Sequence, residues 1–142
     1  MIHRAAGFAL PLLLAVAPAQ AKDQTRQQRM DAFWSEYSST HDRCIDQSGG
    51  VTSKILDCAA DEQARQEKRL NANYQALLKR LSSTRQAELR KAQRLWLQLR
   101  DANCDSWVEP MGGSSQGLFH SSCYLEMTTR RATELEIMQP PE

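Results

Sequence analysis

The sequence predicts a small all-α protein: an antiparallel bundle of about four helices, stapled by two disulfides. Three observations carry that expectation. Apolar residues recur at helical spacing along most of the chain, and no stretch sustains a period of two. Four cysteines, Cys44, Cys58, Cys104 and Cys123, fall near the ends of the helical segments. The chain also opens on a segment with the composition of an export signal, which sets an oxidising destination for those thiols.

The leader has the three parts of a signal peptide in order. Arg4 supplies the positive charge, an apolar stretch runs from Ala5 to Ala17, and Ala19-Gln20-Ala21 is the small-x-small pattern that signal peptidase accepts. The apolar stretch is shorter than the roughly 20 residues a membrane-spanning helix needs. Cleavage after Ala21 would start the mature chain at Lys22 and leave residues 22–142 as a single domain of 121 residues. With no cysteine at the cleavage point and no later long apolar run, a soluble periplasmic or secreted protein without a stable membrane anchor is expected. The leader holds one arginine and no acid, so the mature balance is 17 basic to 17 acidic residues. That balance argues against a general nucleic-acid binder, which needs a basic excess.

The elements follow in order. Met30, Phe33, Trp34, Tyr37, His41 and Cys44 share one helical face, and Ser48-Gly49-Gly50 ends that helix. Asp57 is placed to cap a second helix, with Asp61 and Glu62 in its first turn, where the helix dipole favours acids. Its core stripe runs through Ala60, Ala64, Leu70, Tyr74, Leu77, Leu78 and Leu81. Ser82-Ser83-Thr84 breaks the pattern, Ser83 and Gln86 form a capping box, and one helix continuing through Ser82 is the alternative. Leu89, Ala92, Leu95, Trp96, Leu99 and Asn103 line a third helix. Glu109 to Ser122, with one proline, three glycines and four serines, reads as an irregular loop. A last helix from near Ser122 carries Tyr124, Met127, Ala132, Leu135 and Met138 before Pro140-Pro141.

Four cysteines allow three pairings. This layout favours Cys44–Cys58 and Cys104–Cys123, each clamping a turn between consecutive helices, over crossed pairings that the sequence leaves open. Each bridge would close a loop of roughly 15 or 20 residues, worth on the order of 3 kcal/mol by restricting the unfolded chain.

Candidate chemistry is sparse. His41-x-x-Cys44 and His120-x-x-Cys123 could form a tetrahedral zinc set, but that would strand Cys58 and Cys104 as free thiols, so no metal is expected. No serine sits in a G-x-S-x-G elbow, and the carboxylates alternate with Lys and Arg as solvated helix faces do. Neither a catalytic set nor a cofactor is expected. Trp96, Arg100 and Cys104 recur every fourth residue along one ridge, which holds a permanent cation in a partly buried position. Asp101, or an acid on a neighbouring helix, is the expected counter-charge.

These residues belong to a longer series. Leu56-Asp57-Cys58-Ala59, Leu70-Asn71-x-x-Tyr74 with Leu77 and Leu81, and Ala92-Gln93-Arg94-x-Trp96-Leu97-x-x-Arg100-Asp101-x-x-Cys104 come first. Gly112-Gly113-Ser114, Cys123, Thr128, Arg131 and Leu135 complete it. The series resembles the LprI-like lysozyme inhibitor family of small exported helical proteins, over about Cys44 to Leu135. The resemblance implies a non-enzymatic protein that inhibits lysozyme by binding it. Asn71, Tyr74, Trp96, Arg100 and Asp101 are expected to have structural roles, Arg100 and Asp101 as an ion pair that fixes helix packing. The family's naming member is a lipoprotein, whereas this chain lacks a lipobox cysteine.

The expected partner is therefore lysozyme or another peptidoglycan hydrolase, including a delivered toxin to which this chain would confer immunity. A structural or ligand-binding envelope protein, with a cavity around Tyr74, Trp96 and Tyr124, is the reading from another class. For an inhibitor, the Glu109–Ser122 loop is the expected plug of the substrate cleft. Ser114 and Ser115 would bond its carboxyl groups, Phe119 and Leu118 would supply apolar contact, and His120, when protonated, would add positive charge. Failing that loop, the cationic faces with Arg65, Lys68 and Arg69 or with Arg85, Arg90 and Arg94 are next.

Overall fold

The computed structural model describes residues 37–106, 108, 113 and 115–139. Four long helices make up this part: α1 (Ser39–Ser48), α2 (Thr52–Arg80), α3 (Ser83–Asp105) and α4 (Ser115–Ile137). No strand occurs among the described residues. The leader, the apolar residues Met30, Phe33 and Trp34, and the Pro140-Pro141 stop lie outside them.

Consecutive helices reverse direction, as expected of an antiparallel bundle. Ser38 meets Glu62 and Cys44 meets Cys58 across the α1–α2 turn. Gly49 and Gly50 make that turn with φ of +61° and +76°, left-handed values that favour glycine. The α2–α3 break falls at Leu81-Ser82, as the sequence indicated, so one continuous helix is excluded. No capping box forms there. Ser82 is the N-cap without a side-chain cap bond, and the Gln86 side chain instead donates to the Leu81 carbonyl at 3.1 Å.

α2 packs most extensively against α4, and the two run parallel. Gln63 bonds Thr128, Arg69 bonds Thr133, and the Asn73 carboxamide donates to the Ala132 carbonyl, so residue numbers rise together along both helices. Thr128, Thr129, Ala132 and Thr133 are all buried on this side of α4. Short side chains there let the two backbones approach closely. Leu70, Leu77, Leu78, Leu89, Ala132 and Leu135 form the core, with Tyr74, Leu81 and Trp96 packed on it.

Several expectations are corrected here. α2 begins at Thr52, five residues before the predicted cap Asp57, which is exposed within the helix. Ala60 and Ala64 are exposed, and the buried stripe passes instead through Cys58, Ala59, Glu62 and Gln66. Glu62 is no solvated first-turn acid. It is wholly buried and accepts from the Ser38 amide (3.0 Å), the Ser38 hydroxyl (2.6 Å), Arg65 Nε (2.8 Å) and the Gln66 carboxamide (2.7 Å). Burial pushes its pKa up, but those donors outweigh it and hold the carboxyl at about 2. Ser38 also caps α1 through the His41 amide, so Glu62 fastens the start of α1 to the middle of α2.

α4 starts at Ser115, so half of the predicted Glu109–Ser122 loop is helix. Leu118 is half-buried, and Gly117 lies close enough to α2 that an added Cβ would sit 3.8 Å from Leu56. That packing outweighs the poor helix propensity of Ser-Gln-Gly, about 1 kcal/mol for the glycine. Met138, expected in the core, is exposed beyond the end of α4.

Candidate partner-binding surface

α3 is the helix that shapes the surface. Only Leu89, Gln93 and Cys104 are buried along its length, with Trp96 and Arg100 half-buried between them. Of the predicted inward stripe, Leu89 is buried and Trp96 packs on the core, while Ala92, Leu95, Leu99 and Asn103 are exposed. Two stripes overlap on this helix, one apolar and one mixed. The one that turns inward contains the Trp96–Arg100–Cys104 ridge, because Cys104 is bonded to Cys123 and Gln93 accepts from Arg131 Nε at 3.0 Å.

The ridge forms a polar hub. The Arg100 guanidinium lies 5.2 Å from the Trp96 ring centroid and 4.7 Å from that of Tyr124. It donates to Asp101 Oδ1 at 3.0 Å, with Glu67 Oε1 at 4.0 Å, and its side chain is 13 % exposed. The anticipated counter-ion, Asp101, is therefore in place, joined by an acid from α2. Arg131 approaches the same indole at 5.9 Å, so two cations lie near Trp96. Tyr124 donates to Asp101 at 3.0 Å. Burial pushes the Tyr124 pKa up, helped by the hydrogen bond to Asp101 and the charges of Asp101 and Asp105, which keeps the proton on the phenol.

Grooves open on both sides of this hub. One, of about 480 Å³, lies between α2 and α3 and runs past Asn71, Tyr74, Arg94 and Trp96. The other, of about 540 Å³, lies between α3 and α4. Leu99, Phe119, Met127 and Cys123 give it apolar walls, and the Arg130–Glu126 and Arg131–Glu134 pairs, both 2.8 Å, line the rest. Leu95 and Leu99 are 55 % and 60 % exposed and Phe119 42 %. Leu95, four residues before Leu99, extends the same face of α3. Exposed large apolar side chains gathered beside a groove are informative where scattered ones are not.

Of the predicted plug, Ser114 lies outside the described residues. Ser115 is the first residue of α4, and Phe119 and His120 stand one turn further on. Phe119 lines the α3–α4 groove, whereas His120 Nε2 lies 3.1 Å from Asp105 Oδ1 and its ring is tilted against Tyr124, with centroids 4.8 Å apart. The structure thus puts Phe119 in one groove with Leu99, and Leu95 stands one turn along α3; the periodicity had assigned both leucines to the core. Of the cationic faces, Arg65 pairs with Glu62, Arg69 with Glu136 and Arg85 with Glu88.

The two disulfides have the expected local pairing, with Cα–Cα separations of 5.7 and 5.5 Å. The zinc set considered above has both of its cysteines in these bridges. No group of three or more metal-ligating side chains occurs among the described residues, and none of the described helices is long and apolar enough to cross a membrane.

Fold and surface together define a small helical protein, stapled by two disulfides and grooved on both sides of its third helix. The chain belongs to the lysozyme inhibitor LprI family, whose model matches residues 44–135. It is also 30 % identical to an uncharacterised protein of Rhizobium meliloti (strain 1021), over 98 % of this chain and 99 % of that one. No solved structure matches it.

Proposed function

We propose that this protein is exported after cleavage at Ala21 and inhibits lysozyme by binding over its peptidoglycan cleft through the α3–α4 groove and its apolar rim. Membership of the lysozyme inhibitor family supports the activity. The observation that supports the surface is the exposure of Leu99 and Phe119 on the walls of a groove bounded by the Cys104–Cys123 bridge, with exposed Leu95 one turn along α3 from Leu99. Burying such side chains on a partner contributes roughly 25 cal/mol per Å² of apolar area. A rigid, covalently clamped rim also loses little conformational entropy on docking. The charges beside it are already paired within α4, so they offer a polar border without an uncompensated ion. This reading moves the contact from a loop with Ser114, Ser115 and His120 to a helical rim with Phe119 at one edge.

The test is to titrate the oxidised wild-type chain and the Leu99→Asp and Phe119→Asp variants into lysozymes of several classes, recording cell-wall lysis. Each variant is expected to lose tenfold or more in inhibition while keeping the wild-type thermal melt. Full inhibition by both folded variants would remove this face from the interface. Failure of the wild type against every class would sink the inhibitor reading itself.

A further inference from the structure

The α2–α3 groove lies on the other side of Trp96 from the face proposed for lysozyme, and its chemistry is different. Its walls come from Glu67, Leu70, Asn71 and Tyr74 on α2 and from Arg90, Arg94, Trp96 and Leu97 on α3. The two helices are held at the Leu81 turn and again where Arg100 approaches Glu67, and the trough of about 480 Å³ opens between those ties. That volume is in the range of small-molecule sites, about 300–1,000 Å³.

Three polar groups along it are unused. Among the described residues, the Asn71 carboxamide, the Tyr74 hydroxyl and the Arg94 guanidinium make no hydrogen bond or ion pair. Arg90 has, among the described residues, only the neutral Gln86 as a partner, at 3.1 Å. Elsewhere Arg65, Arg69, Arg85, Arg100, Arg130 and Arg131 each lie beside a carboxylate, at 2.6 to 4.0 Å, while Arg43 on α1 bonds the neutral Thr40. Two cations without a carboxylate therefore flank a wall that carries aromatic rings and uncommitted hydrogen-bonding groups. Arginine matches a carboxylate in a planar, two-bond geometry, and aromatic rings take the apolar face of a pyranose.

We infer that this groove binds an acidic amino sugar. The ring lies against Tyr74 and Trp96, its carboxylate is held by Arg94 with Arg90 beside it, and its amide or hydroxyl groups meet Asn71 and the Tyr74 hydroxyl. The site shares Trp96 with the groove proposed for lysozyme but is otherwise lined by different residues, and its test does not use lysozyme.

Calorimetric titration with N-acetylmuramic acid and N-acetylglucosamine compares the same ring with and without a carboxylate. The acid is expected to bind at least tenfold more tightly than the neutral sugar. Arg94→Ala should remove that preference, and Asn71→Ala should weaken both sugars; both residues are exposed, so neither change threatens the fold. Leu99→Asp, on the opposite groove, should leave both titrations unchanged. Equal binding of the two sugars, an acid preference that survives Arg94→Ala, or no binding of the acid at tens of millimolar would each overturn the assignment.

Discussion

α2 and α4 are held together by burial, and α3 by attachments. Between α2 and α4, Leu70, Leu77 and Leu78 meet a threonine- and alanine-lined face, and side chains from Gln63, Arg69 and Asn73 cross the seam. α3 buries one large aliphatic side chain, Leu89, and is otherwise fixed by the Leu81-Ser82 turn, the Arg100 and Arg131 contacts and the Cys104–Cys123 bridge. The difference explains the surface. A helix anchored by charge pairs and a covalent bond need not spend its leucines on the core, so Leu95 and Leu99 remain available outside.

The sharpest way to break the comparison is to attack the buried pair. Leu77→Ala removes a side chain that is 2 % exposed at the centre of the core and should destabilise the protein by about 3 to 5 kcal/mol. The loss should appear as a single lowered unfolding transition by circular dichroism. A variant within 1 kcal/mol of wild type would show that the α2–α4 seam is not the main source of stability.

Removing the covalent attachment should act differently. Cys104→Ala with Cys123→Ala should lower stability by about 3 kcal/mol. Hydrogen exchange should then quicken first over the last turns of α3, while α2 and α4 keep their protection. Uniform loss of protection would mean that α3 and the α2–α4 pair unfold as one unit and that the contrast is only geometric.

Glu62 offers a smaller and pH-dependent test on the other side of the molecule. Its carboxyl sits at about 2 when folded against an ordinary 4.5. Its contribution is therefore complete above pH 4.5 and is lost as pH falls towards 2. On linkage grounds that contribution is about 3 kcal/mol. Glu62→Gln should destabilise the chain by about 2 kcal/mol at neutral pH and flatten the acid limb of the stability curve. An unchanged acid limb would show that Glu62 is not the group that titrates there.

Much of this was legible in the residues. The break at Ser82, the stop at Gly49-Gly50, the two local disulfides and the Trp96–Arg100–Cys104 ridge each follow from a short local pattern. Leu95 and Leu99 were misplaced because apolar spacing cannot choose between two stripes on one helix. Glu62 was misplaced because an acid among charged neighbours looks solvated until Ser38 and Gln66 are brought beside it. The candidate surface was anticipated in Phe119 alone. His120 had an acid partner, Asp105, that no sequence spacing indicates.

The sequence by itself determined an all-α chain and its helix breaks and favoured local pairing of its cysteines, since these depend on periodicity, turn residues and short-range closure; the structure fixed the pairing. Tertiary structure decided which face of α3 points inward, how far α4 extends back to Ser115, and that Glu62 is an internal clasp. Those outcomes depend on partners remote in the chain: Arg131 for Gln93, Leu56 for the first turns of α4, and Ser38 for Glu62. Local propensity differences of about 1 kcal/mol or less per residue are too small to resist such contacts.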